Sequence, residues 1–107
     1  MTFEDAYFKQ KILKQDSLEP FGFTTTEQGY EFRKTLIADE LEARLLIDLE
    51  GKLTGQVVDI DLDEPYDIFR SPQVTGTYVG QVREAYGELL SQLADSCYEK
   101  SIVLIST

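Results

Sequence analysis

The sequence predicts an α+β fold: a two-layer sandwich in which an antiparallel meander of three to four strands is flanked by an N-terminal and a C-terminal helix. Three observations predict it. Residues 30–36 and 41–49 alternate apolar with polar side chains at period two, the pattern of strands with one buried face. Apolar residues at 79, 82, 86, 89/90, 93 and 97 recur at steps of three and four, which puts them on one side of a helix. Short turn signals separate the strand candidates, which suits a meander and not parallel units joined by crossovers.

Taken in order, Phe3, Ala6, Tyr7, Phe8, Ile12 and Leu13 gather on one side of a helix predicted over 3–15. Glu4, Asp5, Lys9, Lys11 and Lys14 take the other side, with Thr2 as N-cap and acids before lysines, as the helix dipole favours. Pro20 and Gly22 then end the pattern, and residues 18–23 read as a loop pinned by Phe21 and Phe23. Tyr30 to Leu36 and Leu41 to Leu49 are strands, and Gly51 supplies the positive φ of the hairpin turn that follows. A third strand runs from Leu53 to about Leu62. Its apolar phase shifts from Leu53 and Val57 to Val58, Ile60 and Leu62, which predicts a β-bulge near Val57. Asp63-Glu64-Pro65 turns into a short fourth strand, Tyr66 to Phe69, and Ser71-Pro72 leads towards the closing helix. The apolar tail 101–107 reads as a further strand, or as a linker or the start of a following domain.

A chain of 107 residues is one domain, 1–107, and buries on the order of two-thirds of its unfolded surface. No apolar run approaches the roughly 20 residues of a membrane span, and the start lacks the pattern of a secretory signal. The single cysteine, Cys97, has no disulfide partner in the chain and no histidine beside it for a zinc site. These features point to a soluble, bacterial-style cytoplasmic protein. Twenty acidic residues oppose ten basic ones, for a formal net charge of −10. A field of that sign repels a polyanion, so nucleic acid is not the expected partner of this domain alone.

Chemistry-bearing patterns are few. Asp59-Ile60-Asp61-Leu62-Asp63-Glu64 starts like a calcium loop. It lacks the glycine at the sixth position and the glutamate at the twelfth, where Glu64 and Arg70 stand. The same aspartates, two apart on one strand, lie side by side and do not face each other across a cleft, unlike a glycosidase pair. Without histidine there is no Ser–His or Cys–His nucleophile, and Cys97 falls in the buried phase of the closing helix. No cofactor or metal is expected, and the chain reads as non-enzymatic. The candidate binding residues are Arg70, Arg83, Tyr78, Gly76 and Gly80. Two guanidinium groups and free N–H groups at a helix N-terminus would suit a small anion, and Tyr78 would suit a protein contact. Paired to nearby carboxylates, the same arginines are merely structural.

Several segments together resemble the N-terminal accessory region of Firmicutes MmcQ/YjbR-family proteins. These are Pro20-Phe21-Gly22-Phe23, Gly55-Gln56-Val57-Val58-Asp59, Glu64-Pro65-Tyr66 with Arg70, and Tyr78 through Tyr86 closing with Ala94-Asp95-Ser96-Cys97-Tyr98. The resemblance covers roughly residues 5–100. It implies an accessory module ahead of a YjbR-type domain, with that domain or another protein as partner, a homodimer as the alternative, and no catalytic residues to carry over. The family's DNA-binding label belongs to the YjbR domain. A nucleic-acid-linked role here would have to use Arg70, Arg83 and the Lys9/Lys11/Lys14 face against the prevailing charge.

Overall fold

A computed structural model describes residues 3–37, 40–69 and 78–100. In chain order the elements are α1 (Asp5–Phe8), β1 (Lys11–Leu13), a 3-10 turn (Gln15–Ser17), α2 (Leu18–Phe21), β2 (Thr24–Thr26), β3 (Gly29–Thr35), β4 (Leu41–Asp48), β5 (Leu53–Asp59), β6 (Glu64–Pro65), α3 (Tyr78–Cys97) and β7 (Tyr98–Lys100). Strands β2 to β6 form one antiparallel meander in sequence order, and β1 pairs with β7 in a separate two-stranded ribbon. The fold is therefore α+β, as the periodicities predict, with more strands than expected.

The core lies between α3 and one face of the meander. Leu41, Ala43, Leu45 and Ile47 of β4 are buried in strict alternation with half-buried neighbours. Opposite them stand Val82, Tyr86, Leu89, Leu90, Leu93 and Cys97 of α3, all in the same cluster. Every apolar residue that the helical spacing assigns to the buried face is buried. Gly51 has φ +86 in the β4–β5 hairpin, as expected. The Asp48 side chain stabilises that turn, accepting from the Glu50 and Lys52 amides at 2.9 Å each.

The expected helix over 3–15 is not formed. One turn, α1, is followed by Gln10 at φ +59, and the chain then runs extended as β1. A lone turn lacks the hydrogen bonds to stabilise itself, and pairing of Lys11–Leu13 with Tyr98–Lys100 satisfies more of the backbone. Lysines 9, 11 and 14 therefore do not share a helix face. Thr2 and the tail 101–107 lie outside the described residues, as do Ser71 and Pro72.

The 18–23 segment is a capped helical turn instead of a loop. Pro20 sits in the first turn, where its missing N–H costs no bond. Gly22, at φ +130, donates to the Leu18 carbonyl at 3.1 Å and ends the helix. The predicted aromatic pin has a third member, because Phe32 of β3 lies 5.3 Å from Phe21 and 5.1 Å from Phe23. Strand β2, all threonine, carries no apolar alternation to reveal it. It is a short polar edge strand, a form that discourages unwanted pairing.

No bulge interrupts β5 near Val57. Its register with β4 is continuous from Leu41↔Asp59 to Ile47↔Leu53. The phase shift is real but has another cause: Val57 joins the core, whereas Val58 is buried on the opposite face, beside Pro65 of β6. The strand also ends earlier than predicted. Leu62 N–H bonds back to Asp59 Oδ1 at 3.1 Å and Asp63 takes φ +52, so Ile60 and Leu62 face outward in a turn. The fourth strand is Glu64–Pro65, not Tyr66–Phe69. Beyond it Asp67 Oδ1 accepts from the Phe69 amide at 2.8 Å, closing a turn.

Candidate functional site

The region around the start of α3 holds three of the five sequence candidates. Tyr78 is 41% exposed, and its hydroxyl donates to Glu40 Oε2 at 3.2 Å. Its ring meets Tyr66 edge-on at 6.3 Å. Partial burial, reinforced by the Glu40 bond, holds its phenol above the ordinary value. Gly80 is buried in the helix. Arg83 points back along the helix, where its Nη1 donates to the Ile68 carbonyl at 2.6 Å and its guanidinium lies 5.9 Å from the Phe69 ring centre. That geometry ties residues 68–69 to α3. Arg70 and Gly76 lie outside the described residues.

Next to this contact is a cleft of about 310 Å³, whose walls include Phe3, Glu4, Tyr66, Asp67, Phe69 and Tyr86. The rings are mutually packed: Phe3 meets Phe69 edge-on at 5.4 Å and stacks on Tyr86 at 6.0 Å. The Tyr86 hydroxyl donates to Glu4 Oε2 at 2.6 Å, and burial followed by this bond pushes its phenol well up. Room for that hydroxyl comes from Gly55, since a Cβ there would overlap it. Segments far apart in sequence, from residue 3 to residue 86, build the cleft, so no local motif announces it.

The second concavity is on the sheet face opposite α3, a groove of about 460 Å³ whose lining includes Gln28, Glu31, Arg33, Arg44, Leu46, Thr54 and Gln56. Arg33 and Arg44 stand directly across from each other on β3 and β4, an arrangement that like charges disfavour. Each is held by the glutamate two residues earlier on its own strand: Arg33 Nε to Glu31 at 3.1 Å, Arg44 Nε to Glu42 at 2.7 Å. Asp63 approaches Arg44 Nη2 at 3.7 Å. The Glu42 bond is the main reason that the Arg44 guanidinium holds its proton more firmly than usual. The parity of the two Glu-x-Arg triplets was legible in the sequence as outward-facing. Their meeting was not, because it depends on the hairpin register.

Among the described residues, no group of three or more Cys, Asp or Glu side chains is placed to hold a metal ion. Cys97 is fully buried, donates from Sγ to the Ser17 carbonyl at 3.3 Å, and has its thiol pushed up by burial. No helix of the described residues is long and apolar enough to cross a membrane. Compared with known protein families, with curated proteins and with solved structures, the chain matches none.

Proposed function

We propose that this domain is a non-enzymatic cytoplasmic module that works by protein contact, through the sheet face that α3 leaves uncovered. The observation that carries the reading is the make-up of that face. Arginines held in place by glutamates, amide side chains and the half-buried Leu46 share one shallow groove. Arginine already oriented by a neighbour loses little freedom on docking, and arginine is enriched where interfaces form. The partner we favour is a YjbR-type domain, as the resemblance to MmcQ/YjbR accessory regions implies. Self-association is the alternative occupant of the same face.

The test is an NMR titration of the labelled chain with a YjbR-type domain, run beside sedimentation velocity of the chain alone. Amide shifts clustered at Glu31, Arg33, Arg44, Leu46 and Gln56, lost in Arg44→Glu, support the reading. A dimer abolished by the same substitution supports self-association. A monomer that shows no shifts with the added domain refutes both.

A further inference from the structure

The cleft beside α3 has a composition that the protein-contact reading does not use. Its described walls include the rings of Phe3, Tyr66 and Phe69, with the buried Tyr86 stacked on Phe3, and two carboxylates, from Glu4 and Asp67, with no lysine or arginine among the described lining residues. Each carboxylate is half engaged. Glu4 takes the Tyr86 hydroxyl on Oε2, and Asp67 takes the Phe69 amide on Oδ1. Their second oxygens have no hydrogen-bond partner among the described residues. At about 310 Å³ the cleft is at the lower end of small-ligand sites, the size of a compact headgroup.

We propose that this cleft binds an organic ammonium group, a protonated or methylated amine. Aromatic faces attract a cation through their quadrupole, most strongly when the cation carries methyl groups that weaken its hydration. The Arg83 guanidinium, held by the Ile68 carbonyl at 2.6 Å, already lies 5.9 Å from the Phe69 ring centre, so a ligand cation would meet Phe69 with part of its surface in use. Glu4 and Asp67 supply counter-charge, and the net charge of −10 raises the local concentration of cations around the whole molecule. An anion would meet two carboxylates here and gain nothing from the rings. The amine could arrive as a free small molecule or as a methylated lysine side chain, and the recognition chemistry is the same for both. The site is distinct from the sheet-face groove: among the described residues their linings have Gln56 alone in common.

Titration of the labelled chain with tetramethylammonium, choline and a trimethyl-lysine peptide tests the proposal, with 3,3-dimethylbutanol as the uncharged analogue of choline. Saturable shifts at Phe3, Tyr66 and Phe69, absent with the alcohol, are expected. Tyr66→Ala and Asp67→Asn should each weaken binding roughly 3- to 10-fold, the worth of one ring or one counter-charge at a partly exposed site. Tighter binding of choline or of the peptide identifies the source and upholds the site. Equal response to the alcohol overturns the proposal, as does the absence of saturable shifts by about 50 mM, well above the affinity such contacts supply. If Tyr66→Ala fails to fold, Asp67→Asn decides, because asparagine still accepts the Phe69 amide. Unchanged affinity in that variant overturns the proposal.

Discussion

Replacing Gly55 by alanine tests the packing beneath the cleft. The backbone at Gly55 is ordinary for a strand, so the substitution carries no conformational penalty of its own. The new Cβ would overlap the Tyr86 hydroxyl and lie 2.8 Å from Leu45 Cδ2. Tyr86 is 1% exposed and cannot swing into solvent without leaving the core. The hydroxyl must shift, and its 2.6 Å bond to Glu4 lengthens or breaks. Overpacking of this kind costs ~1–3 kcal/mol, and loss of a hydrogen bond to a charged group costs ~1.5–3 kcal/mol. These are alternatives more than a sum, because displacing the hydroxyl relieves the overlap. Alanine recovers ~0.5–1 kcal/mol of chain entropy relative to glycine. The net is a loss of about 1–2 kcal/mol, or roughly 5–15 °C in Tm for a domain of this size. Urea unfolding of the wild type, Gly55→Ala, Tyr86→Phe and the double variant forms the cycle. With the hydroxyl gone, Gly55→Ala should cost at least ~1 kcal/mol less than in the wild type. Costs that add within ~0.3–0.5 kcal/mol would refute the assigned clash.

Three further outcomes are expected. Gly29 sits at φ +137 with the Ile47 carbonyl where a Cβ would be, so Gly29→Ala should destabilise by roughly 3 kcal/mol or more in the same urea assay. Cys97 should resist alkylation in the native state by at least ~100-fold relative to the urea-unfolded chain, since burial both shields the thiol and raises its pKa. Burial pushes Tyr98 from 10.0 up to about 12. A group raised in the folded state contributes fully below its unfolded value, so this stability is present below pH 10 and lost as pH rises through about 12. Tyr98→Phe should flatten that alkaline fall in denaturant-measured stability.

The parts of the fold that were legible are those in which one period dominates a long segment. Strands β3 and β4 and the whole buried face of α3 follow directly from spacing, because each packs one face against a single core. Legibility failed where local pattern and tertiary pairing disagree. Residues 3–15 have helical spacing, yet β7 recruits Lys11–Leu13 as a strand partner. Val57 and Val58 break the alternation because both faces of β5 are buried there, not because the strand is kinked. Arg83 was recognisable as a notable charge, but one of its partners is a carbonyl 15 residues away, presented beside the turn at Asp67–Phe69. The cleft was beyond reach, since Glu4 and Tyr86 meet across 82 residues.

That long-range contact has a kinetic meaning. Each hairpin of the meander closes over a few residues, whereas the Glu4–Tyr86 bond and the β1–β7 ribbon must close nearly the whole chain. Closure of a segment of 82 residues costs about 2.5 kcal/mol more than that of a five-residue turn. The N-terminal segment is thus the natural last arrival in folding and the first departure on local opening. Phe3 and Glu4 leave with it, so the cleft exists only while the chain is shut. A ligand held there would act as a latch on the fold, slowing hydrogen exchange at Lys14, whose amide bonds to Cys97 at 2.7 Å, while leaving the central hairpins unchanged.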